Sequence, residues 1–273
     1  MSSINYREDQ ELFSVLEMAS QEDLGVLIDI ITDNGKGRVA LDDGVMSALL
    51  AAKNAGAVQN MHLLMIAGEI QLFGGNSIIN LFRGKGVAYR EIICDVADHL
   101  KANFYDNQDV AVIESDILMK VLEKSLEQMS EEEKKNFFAE FGVNYSVGAG
   151  AAAIAAMQAV IRTNGFMAYK LAVIAANAVA KAVIGRGLIL GTNAAITRTV
   201  GAFAGPIGWA ITAIWSAFDL AAPAYRVTVP CTIQLAYMRQ TAMMKKLPQC
   251  QNCLAPNDGD AVFCNKCGHK FSS

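Results

Sequence analysis

The chain has 273 residues, 53% of them apolar and 18% charged, with a mean hydropathy of +0.27. It is too apolar for a disordered protein, richer in apolar residues than an ordinary soluble one, and long enough for one large or two ordinary domains. The net charge of −4 conceals a division: residues 1–140 hold 24 acidic against 12 basic side chains, and residues 141–273 hold 3 against 11, so the halves carry −12 and +8. A basic, apolar half suits an anionic membrane surface or the chain's own acidic half.

Helical period dominates the acidic half. In "REDQELFSVLEMA" Leu12, Phe13, Val15 and Leu16 recur at helical spacing. Ser20 with Asp23 then resembles a capping box opening "EDLGVLIDIIT", which "DNGKG" stops. Further helices are predicted at about Asp42–Asn54, Ala57–Phe73, Ser77–Phe82, Val87–Phe104, Ile113–Met129 and Glu131–Phe141, the last with Ser130 and Glu133 as its cap pair. No strand pattern precedes the last 26 residues. The body is therefore predicted to be mainly α, a multi-helix bundle.

Within "FGGNSIINLFRGKG", Gly74 and Gly75 read as a helix stop, Asn76 or Ser77 as the next cap, and Gly84 and Gly86 as a turn. Arg83 and Lys85 are candidates for holding an anion near a helix start. Neither the dinucleotide-loop nor the P-loop spacing is present. Glu69, Asp95, Asp98, His99 and the pair Asp42 and Asp43 are explained by charged helix faces and caps, and His62 by packing. Three histidines assemble no Ser-His-Asp or Cys-His arrangement, which favours a non-enzymatic protein.

The basic half holds two uncharged runs long enough to span a bilayer, Phe141–Ile161 and Thr199–Phe218. Their alanines, glycines and polar residues weaken insertion. Between them, "MAYKLAVIAANAVAKAVIGRG" is interrupted by Lys170, Lys181 and Arg186. Such segments suit an interface with lipid headgroups or a tight bundle of small-residue helices. Trp209, Ile211, Ile214 and Trp215 are the candidate membrane-contacting residues, and close helix approach leaves oligomerisation open.

Cys250, Cys253, Cys264 and Cys267 make C-x2-C, ten residues, C-x2-C, the spacing of two knuckles closing a tetrahedral thiolate site around Zn²⁺. "PNDGD" reads as the hairpin tip between them, and Gly268 tolerates the positive φ of the second knuckle. Four thiolates leave no open position, so the metal is expected to be structural; two disulfides are the alternative. Lys266 and Lys270 are balanced by Asp258 and Asp260, which argues against nucleic acid as a partner.

"IAGEIQLFGGNSIINLFRGKGVAYREIICDVADHLK", Ile66–Lys101, and "APAYRVTVPCTIQLAYMR", Ala222–Arg239, resemble the bacterial YaaW family, which is similar in classification to the ubiquinol–cytochrome c chaperone domain. "YREDQELFSVLEMASQEDLGVLIDIIT" resembles the short module found ahead of that domain. The resemblance spans most of residues 4–240. It implies a mostly helical bacterial protein with a role in assembling or handling other proteins, and no catalytic residue carries over. The zinc ribbon and the Ala/Gly-rich middle depart from the family.

Three regions are expected: an acidic helical domain at 1–140, an apolar, basic helical region at 141–247 packed on or separable from it, and a zinc ribbon at 248–273. The leading reading is a non-enzymatic, membrane-associating assembly factor with an unidentified protein partner. The alternatives are a pore-forming or membrane-perturbing effector held soluble by its acidic half, and a soluble enzyme with an unidentified site near Gly68–Arg83. The N-terminus places acids where an export signal needs a basic start, so the expected compartment is the cytoplasm, peripheral to or conditionally inserted in the inner membrane.

Overall fold

The structure is a computed structural model that describes residues 6–38, 41–74, 86–188, 200, 201, 203, 205, 207, 208, 224–253, 257, 261–264 and 267–271. Among the described residues the chain forms ten named helices: α1 (Gln10–Met18), α2 (Gln21–Thr32), α3 (Asp43–Asn54), α4 (Asn60–Gly74), α5 (Tyr89–Leu100), α6 (Val110–Leu126), α7 (Glu131–Glu140), α8 (Gly150–Thr163), α9 (Gly165–Ile184) and α10 (Tyr225–Lys246). Extended pairing among these residues is limited to one antiparallel bridge, Phe263–Lys270. The fold is mainly α, with a small cysteine cluster at its C-terminal end. The predicted helix at Ser77–Phe82 lies outside the described residues.

Local signals fix most helix ends. Asp9 caps α1 and Ser20 caps α2, each accepting an N–H from the first turn. Ser130 and Glu133 form a reciprocal capping box on α7. "DNGKG" stops α2 through Asp33, Asn34 and Gly35, all with positive φ. Gly86, read from the sequence as part of a turn, also sits in close contact with α4. A Cβ there would stand 2.5 Å from the Gln71 Cβ and 2.7 Å from its backbone carbon, so glycine lets the returning chain lie directly on α4.

The core is built around α10, which packs most extensively on α9 and also meets α1, α2, α4, α5 and α6. Every residue from Val227 to Met238 is buried, as are Leu24–Thr32 in α2 and Lys170–Ala180 in α9. Helices apolar on nearly all sides belong in an interior. One hydrophobic cluster accordingly runs from Leu12 to Met238. Val200, Phe203 and Ile207 are helical and buried in the same cluster, and the Phe203 ring meets Phe137 edge-on at 4.8 Å.

The two long uncharged runs need revision. Phe141–Ile161 is not one helix: Gly142 and Gly148 have positive φ, and α8 begins only at Gly150, giving 14 residues where a span needs about 20. Most of Thr199–Phe218 lies outside the described residues. Among the described residues, the helix long and apolar enough to cross a bilayer is Gly165–Ile184, whose most apolar window is 67% buried within the fold. Its Lys170 does not interrupt it. The ammonium donates to the Glu140 carbonyl at 2.9 Å and the Glu140 carboxylate at 2.6 Å, and lies 5.4 Å from the Phe141 ring centre.

Candidate metal centre and buried polar sites

Beyond α10 the chain folds two short turns around the four cysteines, whose sulfurs all lie within 4.8 Å of one another. Cys250 Sγ is 3.7 Å from Cys267 Sγ, and Cys253 Sγ is 3.6 Å from Cys264 Sγ. Four sulfurs at ~2.3 Å from a central ion, at the corners of a tetrahedron, would stand about 3.8 Å apart. The spacing therefore fits one metal ion. Gly268 has φ +70° and donates its N–H to the Cys264 carbonyl at 2.9 Å, while Cys264 N–H donates to the His269 carbonyl at 2.7 Å. These bonds close the second knuckle.

Two amides complete the cluster in a way the cysteine spacing does not reveal. The Asn252 side-chain N–H group approaches Cys267 Sγ at 3.6 Å, and that of Asn257, which is buried, approaches Cys264 Sγ at 3.7 Å. Donors of this kind stabilise thiolates and orient metal ligands. Asn257 also donates its backbone N–H to the Pro248 carbonyl at 2.9 Å, tying the loop to the end of α10. Of "PNDGD" only Asn257 is described. Arg83, Lys85, Trp209, Ile211, Ile214 and Trp215 lie outside the described residues.

Inside the helical body, buried charges are joined across the sequence. Glu114 on α6 accepts from Arg239 Nε at 2.8 Å, Arg239 Nη2 at 3.2 Å and the Tyr89 hydroxyl at 2.7 Å. Arg239 Nη2 also donates to the Glu11 carbonyl at 3.1 Å. Burial pushes the Glu114 carboxyl above its ordinary pKa, and Arg239 draws it back only in part. Asp29 is paired with Lys53 and with Arg186, the latter at 3.1 Å. Asp116 pairs with Arg162 at 3.1 Å. These carboxylates drew no notice in the sequence because only the tertiary packing places them inside.

Glu69 also departs from the helix-face expectation: it is 7% exposed. Burial, with Asp42 nearby, pushes its pKa up to about 7. Asp42 is the α3 cap, accepting from Val45 N–H at 3.0 Å. His62 is half-buried, and its Nδ1 accepts the Gln59 N–H at 3.0 Å beside the start of α4. His99 stacks on Tyr225 at 3.8 Å. Gln71 is fully buried and exchanges hydrogen bonds with both backbone groups of Arg7, so "GEIQLFGG" holds the N-terminal segment in place.

A family profile described as ubiquinol-cytochrome C chaperone matches residues 65–233, more than half of the chain and the portion that contains α5 to α9. The chain belongs to the ubiquinol-cytochrome C chaperone family. The cysteine cluster lies beyond the matched residues. A UPF0174 protein of Helicobacter pylori strain J99 is 38% identical over 235 residues, covering 86% of this chain and 92% of the relative. Another, from Helicobacter pylori strain 26695, is 40% identical over 180 residues, or 64% and 86% of the two chains. The UPF0174 protein YaaW of Escherichia coli K12 is 28% identical over 248 residues, covering 87% and 97%. No solved structure matches.

Proposed function

We propose that this family member is a non-enzymatic, chaperone-like factor that handles other polypeptides at an anionic membrane surface, with Zn²⁺ held by its four cysteines as a structural module. The observation that carries the polypeptide-handling part is the chaperone family match across residues 65–233. The membrane part rests on the uncharged run Thr199–Phe218, set in a half of net charge +8. Basic residues near an anionic surface are worth about 1 kcal/mol each, which supports reversible binding without a permanent span. An all-sulfur donor set at tetrahedral spacing favours Zn²⁺ over oxygen-seeking cations. Such a closed site would supply rigidity and a docking surface for a second protein.

Vesicle co-sedimentation tests the membrane part. The purified chain is expected to bind phosphatidylglycerol-containing vesicles, to be released by high salt, and to ignore vesicles of phosphatidylcholine alone. Replacing Ile211 and Ile214 with Asp should weaken binding and leave the metal in place. Indifference to anionic vesicles at both neutral and acidic pH would reject the membrane reading. Resistance to alkaline carbonate would replace surface binding with insertion.

A further inference from the structure

A groove of about 400 Å³ is formed by the segment that leads into α1, by α1 itself and by the first turns of α4. That volume lies within the ~300–1,000 Å³ of binding sites. Its floor is apolar. The Tyr6 and Phe13 rings meet edge-on with centres 5.8 Å apart, and Leu63 and Leu64 continue the surface from α4. Met61 lies three residues before Leu64, on the same helix face. It is 48% exposed, and Tyr6 is 38% exposed, so the apolar surface reaches solvent at both elements.

The rim of the groove is acidic. Glu8, Asp9 and Glu17 line it, and among the described residues its lining holds no lysine, arginine or histidine. The Asp9 carboxylate is already engaged, accepting from Leu12 N–H at 3.1 Å and from Tyr89 N–H at 2.6 Å. Glu11 pairs with Arg90 at 3.1 Å. Glu8 and Glu17 are exposed and make no ion pair among the described residues. Neither α1 nor α4 contains a lysine or arginine, and between Tyr6 and Asp23 the sequence has a single basic residue, Arg7, whose side chain is not part of the lining. The local field is therefore negative over an apolar floor.

That charge decides what can cover the floor. A neutral apolar segment would strip water from Glu8 and Glu17 without replacing it, and an acidic one would be repelled. A basic side chain among apolar neighbours meets both demands: its methylene stem packs on apolar surface, its head reaches the carboxylates, and aromatic faces attract the cation. We propose that this groove docks a basic, apolar segment of another polypeptide, its lysine or arginine heads meeting Glu8 and Glu17 and its apolar side chains packing against Tyr6, Phe13 and Leu64. The inference rests on the polypeptide-handling reading and names the class of segment that is handled.

The test titrates the full-length protein by calorimetry, in buffer without lipid, with short acetylated and amidated peptides of leucine with lysine, leucine with glutamine, and leucine with glutamate. The lysine peptide is expected to bind saturably and more weakly as salt rises, and the glutamate peptide not to bind. Glu8→Gln combined with Glu17→Gln should weaken the lysine peptide about tenfold, and Tyr6→Ser should weaken it as well. Glu127→Gln combined with Glu132→Gln changes the net charge equally at two exposed positions outside the groove and should leave binding as it was. If Tyr6→Ser disturbs folding, the two glutamine pairs decide alone. Equal losses in those pairs would mean that overall charge and not the groove attracts the peptide, which overturns the proposal. Glutamine or glutamate peptides that bind as tightly as the lysine peptide overturn the groove and keep polypeptide handling. Binding of none of the peptides overturns both. A dimer seen in sedimentation that Glu8→Gln with Glu17→Gln dissociates would give the groove to a second copy of the chain, and this too overturns the proposal.

Discussion

The helical body buries one apolar cluster that runs from Leu12 to Met238, whereas among the described residues of the cysteine module the apolar cluster is Cys250 and Cys264, with Cys253 and Phe271 packed against them. Ordering a residue's backbone costs ~1–2 kcal/mol, and so small a core cannot offset that cost for two knuckles. The body can be held by burial, while the module needs a cross-link between its sulfurs. Metal binding in such modules is folding free energy, with apparent values of about 10–16 kcal/mol. The largest expected effect follows. Replacing Cys250 and Cys253 with Ser should remove about one Zn²⁺ per chain and unfold the module. The body should keep its helical circular dichroism and its unfolding midpoint. Stoichiometric zinc in the double variant would sink the assignment, and a body that melts with the module would erase the contrast.

The body has its own exception to burial, the charge network at Glu114, whose side chain is 1% exposed. Breaking one side of a buried pair leaves an uncompensated charge, at a cost of about 3–5 kcal/mol. Arg239→Met is expected to destabilise the body by that amount in urea unfolding at neutral pH, with zinc content unchanged. Glu114→Leu combined with Arg239→Met should recover much of the loss, because both charges are then gone, while the Tyr89 hydroxyl loses its acceptor and the Glu11 carbonyl the Arg239 donor. A double variant no better than Arg239→Met would mean that the network contributes through packing and not through charge.

What the sequence disclosed follows the same division. Signals confined to a few neighbouring residues were legible: the caps at Ser20 and Ser130, the "DNGKG" stop, the helical period of α1 to α7, and the cysteine spacing with Gly268. Readings that depend on distant residues were not. Lys170 looked like an interruption because Glu140, its partner, lies 30 residues away. Glu69 looked like a solvated helix face because only tertiary packing buries it. The uncharged run Phe141–Ile161 looked continuous because composition does not register the two positive-φ glycines that divide it. Asn252 and Asn257 carry no spacing rule that marks them as thiolate partners.

Glu69 offers the smallest and most specific way to sharpen the comparison, because it tests an unpaired charge within the body alone. Its folded pKa of about 7 lies above the ordinary 4.5, and burial is the main cause, followed by Asp42. Below pH 4.5 the carboxyl is protonated in both states, and the favourable contribution of its raised pKa is fully present. As pH rises from 4.5 towards 7, the unfolded chain releases this proton more readily than the folded one, so stability falls across that window and levels off above it. The shift bounds the loss at about 3 kcal/mol. Glu69→Gln keeps the shape and removes the titration. It should therefore match the wild-type protein in acid and exceed it by up to about 3 kcal/mol above neutrality, as read by urea unfolding at the two ends of the window. At each pH the variant and the wild-type protein should hold the same amount of zinc. A gap between variant and wild type that does not change with pH would show that Glu69 is not the group that titrates.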